Sequence, residues 1–421
     1  MGIGGGRTWG GGHGAQTARP FGVLDVGTSK IACLVATVEP RGPEHGDRPR
    51  AQVLGVGHQR ARGVKAGVIT DLDEAEHAIR EAIGQAERMA ELNLEEIFVA
   101  VSCGRIRSRL FSASADVESG IVSEADIARV MAGGRAFADR DGRSLVHLNR
   151  LGFRLDRAAP VSDPRGMAAK LLSADLHAVT ADDAPLRNLT MAVERCHLAV
   201  AGLVAAPYAS ALAVTTADER RLGVTVIDIG AGSATLASFV GGQLVFADAV
   251  PVGGHHITYD IARALNMPLA EAERIKALYG SLIEAGSDEH EAFDYTQAGD
   301  EEGIGNQVTR AQLRSVIRPR VVATLSLIEE RLERAVRAGH LAGSTLGRLV
   351  LTGGASQLVG LGEFTAGAFG RPVRVAGVTQ VAGLPSGVSR PGFAVAAGML
   401  VAAARTTAQG SAWRSNELAS G

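Results

Sequence analysis

Apolar and polar positions in this chain follow two rhythms. Short continuous apolar runs alternate with longer stretches in which apolar residues recur at helical spacing, so strands and helices are expected in turn. Two of the runs end alike. Val23-Leu24-Asp25-Val26-Gly27-Thr28-Ser29-Lys30-Ile31 and Val226-Ile227-Asp228-Ile229-Gly230-Ala231-Gly232-Ser233-Ala234 each read as a buried strand, a tight turn and a second strand. A third run, Arg348-Leu349-Val350-Leu351-Thr352-Gly353-Gly354-Ala355-Ser356, leads into a glycine pair. Other strands are expected near Val53 to Val56, over Ile97 to Val101, over Cys196 to Val200, over Gln243 to Val250 and at Val373-Arg374-Val375.

The helical stretches are as distinct. Ala75, Ala78, Ile79, Ala82, Ile83, Ala86, Met89 and Ala90 share one face behind a capping-box-like start at Asp73 and Glu76. Further helices are expected after Ser123, around Tyr208 to Thr215, after Thr258 and over Ala270 to Tyr279. Thr309 and Gln312 form a capping box ahead of a long stripe through Leu313, Ile317, Val321, Leu325, Ile328 and Leu332. Pro319 lies inside that stripe and should kink or break the helix. Phe393 to Ala404 reads as a last core helix, Glu39 to Arg50 as a polar loop and Ser281 to Gln307 as an acidic one.

At 421 residues the chain is too long for one ordinary core, and two domains are expected. From about Gly104 to His177 short strands, a helix and polar loops interrupt the βα rhythm, which marks an inserted subdomain. The expected division is a disordered glycine-rich leader at 1–20, a first domain at 21–103 and 178–222 around the insertion at 104–177, a second domain at 223–404, and a flexible tail at 405–421. The class is α/β.

Composition narrows the chemistry. Hydrophobic residues make up 46% and charged residues 21%, which suits a folded globular protein. A formal net charge of -2 gives no basic footprint, so nucleic acid is not an expected partner. Cys33, Cys103 and Cys196 are isolated, match no metal spacing and read as small buried hydrophobes of a reducing compartment. No basic start followed by an apolar stretch marks a signal peptide. Phe393 to Ala404 falls short of the roughly 20 residues a membrane span needs.

The paired hairpins carry the candidate chemistry. Their glycines let backbone amides approach an anion closely, and the hydroxyls of Thr28, Ser29 and Ser233 add donors. Asp25 and Asp228 stand at strand ends, where carboxylate oxygen can serve a divalent cation. Either hairpin alone equally describes an ordinary turn whose aspartate bonds its own backbone. The pair, followed by the Gly353-Gly354 turn against which a flat base and ribose could lie, describes a phosphate clamp between two similar domains. Glu273 and Lys276 sit three apart on one helix face, where a surface ion pair is the plain expectation. His255 and His256 would point to opposite faces of a strand and could not share a metal, and His197 reads as a satisfied core residue of an apolar strand.

Two phosphate hairpins, a connecting helix and a late glycine pair, in this order, resemble the actin, sugar-kinase and heat-shock-chaperone superfamily. Within it the chain resembles the bacterial cell-division FtsA family from Val23 to Ala404. The resemblance rests on Asp163-Pro164-Arg165-Gly166-Met167 in the insertion, Thr258-Tyr259-Asp260-Ile261-Ala262, Ala272-Glu273-Arg274-Ile275-Lys276 and Val316-Ile317-Arg318-Pro319-Arg320. It implies a duplicated actin-like, ribonuclease-H-like ATPase fold of two domains and four subdomains. It further implies that Gly27, Thr28, Ser29 and Lys30 meet the terminal phosphates of ATP, with Gly230, Gly232 and Ser233 opposite. Asp25 and Asp228 would hold magnesium through its waters. Gly353, Gly354 and Ala355 would cradle the adenosine, with Glu273 and Lys276 at the ribose or base. A partner-binding subdomain at about 266–345 would take the carboxyl-terminal tail of the tubulin-like protein FtsZ, with Arg318 and Arg320 as contacts. The insertion would serve self-association and late division proteins, at the cytoplasmic face of the membrane at the septum.

Departures from the pattern shape these expectations. Relatives often place an acid or glutamine near the start of the helix after the connecting strand, but Val204-Ala205-Ala206-Pro207-Tyr208 has none. The second hairpin ends Ser233-Ala234-Thr235 without the aspartate of many relatives. Tight ATP binding with slow or no hydrolysis is expected. Trp413-Arg414 is a faint trace of the basic amphipathic membrane helix with which the family usually ends, so either membrane attachment is indirect or that helix is lost or truncated here, and the membrane surface is retained as a partner without an evident tail helix. The alternatives are a pilus-assembly actin homologue and a small-molecule kinase. The Asp163 to Met167 phrase and the long helix after Thr309 favour division over the first, and the second needs a further catalytic carboxylate that the first domain does not offer.

Overall fold

The computed structural model describes residues 20–38, 51–139, 142–156, 158–284, 286, 290–299, 305–341, 347–379, 381 and 384–408. The expected leader up to residue 19, the whole Glu39 to Arg50 loop and Trp413-Arg414 lie outside them.

The first domain opens with β1 (Phe21–Val26), β2 (Lys30–Val38) and β3 (Ala51–Arg60), followed by the short pair β4 (Val64–Lys65) and β5 (Val68–Ile69). Helix α1 (Leu72–Ala90) then leads to β6 (Glu96–Val101). The cap of α1 is Asp71, not Asp73: its carboxylate accepts the amides of Asp73 and Glu74 at 3.1 and 3.0 Å. Ala75, Ala78, Ile79, Ala82, Ile83 and Ala86 form its buried face, as the spacing required. That face lies against β3 where Gly55 and Gly57 stand; a Cβ at either would overlap a carbonyl oxygen of α1, so small size at these positions sets the approach.

The insertion follows as β7 (Arg107–Asp116), α2 (Glu124–Ala138), β8 (Arg143–Leu155) and β9 (Leu171–Asp182). Its strands form an antiparallel sheet in the order β7-β9-β8, with α2 packed on β7 and β9. Ser123 caps α2 reciprocally with Asp126. Strand β9 runs unbroken to Asp182, past the expected end at 177, because it returns directly into the first domain. The Asp163 to Met167 phrase is a turn, with Asp163 accepting the Arg165 amide at 3.2 Å.

Helix α3 (Asp183–Glu194), β10 (Ala199–Ala205) and α4 (Ala206–Val214) complete the domain. The strand expected from Cys196 begins only at Ala199. The amides of Arg195, Cys196 and His197 fold back onto Met191, Val193 and Glu194 carbonyls as α3 ends. His197 is therefore exposed, at a positive φ of 65°, and is not a core residue.

The second domain repeats the first. After α5 (Ala217–Leu222) come β11 (Val224–Ile229), β12 (Ala234–Val240) and β13 (Gln243–Val250), then α6 (Gly254–Leu265) and α7 (Leu269–Tyr279). A hairpin of β14 (Ala292–Tyr295) and β15 (Asn306–Thr309) rises from the region read as an acidic loop. Helix α8 (Arg310–Arg337), β16 (Leu349–Thr352), α9 (Leu361–Phe369), β17 (Val373–Val375) and α10 (Ala394–Ala408) follow. The two main sheets run β3-β2-β1-β6-β10 and β13-β12-β11-β16-β17, each with two antiparallel pairings and then two parallel ones.

The Thr309–Gln312 box caps α8. Pro319 does not break the helix, which is continuous from Arg310 to Arg337. A proline costs a helix interior about 3 kcal/mol, whereas each buried large apolar side chain contributes about 1.5–3 kcal/mol. Leu313, Ile317, Val321, Leu325, Ile328 and Leu332 are all buried on one face across the proline, so packing outweighs the lost bond.

The domains are tied by an exchange of helices. Helix α4 ends the first domain yet packs on β11, β12 and β13, while α10 ends the second and packs on β1 and β2. The two helices cross at Gly398 and Ala209. One core cluster accordingly runs from Leu24, Ile79 and Val99 through to Val226, Ala237 and Val350.

Candidate functional site

The two hairpins face each other across a cleft of about 530 Å³ between the domains, a size suited to a small ligand. Their turns close identically: the Gly27 amide donates to the Lys30 carbonyl at 3.0 Å and the Gly230 amide to the Ser233 carbonyl at 2.9 Å. The tips touch. A Cβ on Gly232 would stand 2.5 Å from Thr28 Oγ1, which itself accepts the Gly67 amide at 3.1 Å.

The structure brings Asp25, Gly27, Thr28, Ser29 and Lys30 together with Asp228, Gly230, Gly232 and Ser233 in the wall of this cleft. Glu273 and Lys276 line it from α7, and Gly353, Gly354 and Ala355 from the turn after β16. Gly353 has a second duty. Its φ of 88° favours glycine, and a Cβ there would overlap the Asp228 carboxylate. A Cβ on Gly354 would meet nothing within 4 Å, so this residue borders open space. Glu273 and Lys276 form more than a surface pair: Lys276 Nζ reaches Glu273 at 2.7 Å and Thr258 Oγ1 at 2.8 Å, and Thr258 donates to Glu273 at 2.5 Å.

Burial sets the electrostatics. Asp25 and Asp228 are 9% and 7% exposed. Burial pushes the Asp25 carboxyl up to about 6, against the pull of Lys30. Burial and then the Asp25 charge push Asp228 up to about 7, with Ser210 and Lys30 opposing. Burial lowers the Lys30 ammonium, while Asp25 and Asp228 hold it charged. Lys30 Nζ lies 3.4 Å from the centre of the Phe393 ring. Two buried carboxylates, both raised by burial and Asp228 further by the Asp25 charge, fit a divalent cation, which would relieve both. No group of three or more His, Cys, Asp or Glu side chains among the described residues could enclose a metal. A cation here would draw its remaining oxygens from water or from a ligand.

Sequence reasoning missed several wall residues: Ser102, Thr235, Gly254, His255, Gln357, Arg390 and Gly392. Gly254 and His255 open α6, not a strand, and their amides donate to the Gly230 and Ala231 carbonyls at 2.9 and 2.8 Å. The helix end thus grips the second hairpin from behind, and the Gly253-Gly254 pair after β13 was its visible signal. Thr235 Oγ1 is buried with no hydrogen-bond partner among the described residues. Ala206, at the start of α4, also lines the cleft, so an alanine stands where an acid was looked for.

Arg318 and Arg320 lie away from the cleft, on α8. The Arg320 fork is closed on Asp260 of α6, at 2.6 and 3.1 Å. It is therefore neither a solvated charge nor an open fork. Arg318 is exposed, 3.3 Å from Glu284.

No helix among the described residues is long and apolar enough to cross a membrane. The family model described as cell division protein FtsA matches residues 225–398, and that of the SHS2 domain inserted in FtsA matches residues 103–180. The cell division protein FtsA of Agrobacterium fabrum is 39% identical over 383 residues, covering 90% of this chain and 86% of that protein. Among solved structures, the PilM-PilN type IV pilus biogenesis complex matches with a TM-score of 0.61 at 17% identity, over 91% of this chain and 98% of that one. MreB5 of Spiroplasma citri bound to ADP matches with a TM-score of 0.54 at 14% identity, over 93% and 99%. The fold is therefore the actin-like ATPase fold with an SHS2 insertion, and with paired glycine hairpins, an interdomain cleft and this insertion in place, the chain belongs to the FtsA family of bacterial cell-division proteins.

Proposed function

We propose that this protein binds magnesium and ATP in the interdomain cleft, turns ATP over slowly, and in that form self-associates and links FtsZ filaments to the inner face of the membrane at the septum. The observation that carries the nucleotide reading is the convergence of both hairpins and the Gly353-Gly354 turn on one cleft with two buried carboxylates. A neighbour of the same fold was solved with ADP, which supports it. When bound, magnesium would neutralise phosphate charge, with Asp25 and Asp228 holding its waters. The hairpin amides and the Thr28, Ser29 and Ser233 hydroxyls would orient the phosphates. Glu273 and Lys276 would fix the ribose or base, and Gly354 would leave room for it.

Slow turnover follows from Ala206, which offers no group to orient an attacking water; losing such a group forfeits orders of magnitude in rate. Purified protein should bind a fluorescent ATP analogue tightly and release phosphate at well under about one per minute, and brisk magnesium-dependent release refutes the reading. The family matches disfavour the pilus-assembly alternative.

For the partner surface, Arg320 must exchange Asp260 for an acidic residue of the FtsZ tail peptide. Arg320→Glu should weaken peptide binding by about tenfold, the worth of one charged hydrogen bond, measured by fluorescence anisotropy. Asp260→Ala, which frees the fork, should strengthen it. Unchanged affinity in both variants moves the contact elsewhere on α8.

A further inference from the structure

A second cavity, of about 670 Å³, adjoins the first hairpin. It shares Lys30, Gly354, Gln357, Arg390 and Gly392 with the cleft. Its own walls are Val56 and His58 of β3, Gln85 and Met89 of α1, and Phe393. Asp25, Asp228, Glu273 and Lys276 take no part in it, so it meets the cleft beside the first hairpin and not at the Glu273–Lys276 end.

Its chemistry is one-sided. Among the described residues the cleft wall holds three carboxylates, whereas none lining the second cavity is acidic. Its cations are Lys30 and Arg390, and Arg390 is exposed with no ion pair among the described residues. Gln85 Oε1 accepts the His58 amide at 3.1 Å, which fixes the carboxamide and leaves its NH₂ to donate. His58 meets the Phe393 ring edge-on, 5.8 Å between centres, and that ring carries the Lys30 ammonium at 3.4 Å. The ammonium is thus held at the boundary of the two cavities by an aromatic face. Gly392 keeps that boundary clear: a Cβ there would stand 3.1 Å from Lys30 Nζ and 3.6 Å from Gly354 Cα.

A partly buried ammonium that Asp25 and Asp228 also face from the cleft, a guanidinium with no ion pair among the described residues and an oriented amide donor, in a cavity that no described acidic residue lines, suit an oxyanion. We propose that this cavity binds a small phosphate-class oxyanion beside the terminal phosphate of the bound nucleotide. Because Lys30 borders both spaces, occupancy of one changes affinity in the other, and by linkage the effect is reciprocal. The proposal rests on the nucleotide reading only for the identity of the neighbouring ligand.

The test titrates inorganic phosphate into the full chain, first alone and then saturated with magnesium and a non-hydrolysable ATP analogue, followed by calorimetry. Gln85 lines only the second cavity, so Gln85→Leu should weaken phosphate binding by about tenfold and leave analogue affinity unchanged. Phosphate should bind both with and without the analogue, with different affinities. Phenyl phosphate, titrated in parallel, distinguishes the source: tighter binding than phosphate identifies a monoester whose body rests on Phe393 and Met89, and equal binding identifies free phosphate. Stoichiometric displacement of phosphate by the analogue, or no effect of Gln85→Leu, overturns the proposal. If the analogue fails to bind while phosphate binds in a Gln85-dependent way, the nucleotide reading falls and the cavity assignment stands.

Discussion

Asp228→Asn raises the melting temperature of the nucleotide-free protein and at the same time removes most of the shift that magnesium and ATP produce in the parent. The carboxyl is buried, and its folded value of about 7 lies well above its ordinary value of 3.8. Below that ordinary value the side chain is protonated in both states and costs nothing. As pH rises towards 7 the unfolded chain releases the proton and the folded chain retains it, so stability falls through this window. Above about 7 the folded state carries a buried charge that Ser210 and Lys30 only partly offset. Asparagine keeps the shape and an oxygen that Ser210 can reach, without the charge. The stability gain of the variant should therefore be small near pH 4 and full near pH 8, read by thermal denaturation across pH. Its magnesium-dependent affinity for the ATP analogue should drop by about 100-fold, the upper range for a group that positions a metal's ligands. A variant less stable than the parent at pH 8 would show that Asp228 is held by contacts its charge requires. Gain of stability with loss of binding is the signature of a residue kept for function.

The second large effect lies at the crossing of α4 and α10, about one turn from the cleft-lining Ala206 and Ala394. Gly398→Ala destabilises the whole molecule, although alanine favours an isolated helix over glycine by about 1 kcal/mol. A Cβ at Gly398 would overlap the carbonyl oxygen of Ala209, where α10 crosses α4. Overpacking a close-packed site costs about 1–3 kcal/mol, and a collision with backbone belongs at the upper end. Ala209 and Gly398 are both buried or on buried faces, with Ala396, Ala397, Met399 and Leu400 at 0% exposure around them, so neither helix can simply move outward. The melting temperature should fall by about 2–3 °C if the net cost is about 2 kcal/mol and about 400 residues unfold together. The variant should also bind nucleotide more weakly, because α4 and α10 are the elements through which each domain packs on the other's sheet. A variant as stable as the parent would mean that the two helices can move apart by well over an ångström at little cost, since the added Cβ would stand 1.6 Å from the Ala209 oxygen.

Local devices were legible in the sequence. The Thr309–Gln312 box, the Ser123 cap and the buried face of α1 stand where spacing placed them, because such signals act within one turn of chain. The hairpins were legible for the same reason: a buried aspartate followed by glycine is a local turn, and its duplication told of two domains. Misreadings arose where a local pattern met a distant partner or a competing local one. Cys196 to Val200 is apolar enough for a strand, but the end of α3 uses its first residues. Pro319 carries a break signal that the buried stripe of α8 overrides. His255 and His256 follow a strand, but the second hairpin needs amides behind it, and a helix start supplies them.

What the sequence determined alone is the set of elements and the residue types at the cleft: the paired aspartates, the hairpin glycines and hydroxyls, and the alanine at 206. These follow from period, capping and turn chemistry, which are short-range. Only the tertiary structure decided how the elements share their surfaces. It placed α4 and α10 on each other's domains, closed Arg320 on Asp260 across 60 residues of chain, made Gly353 the backing of Asp228, and held Lys30 on Phe393 between two cavities. Each of these depends on side chains that meet only after the domains have folded together, and no spacing within one segment encodes that meeting.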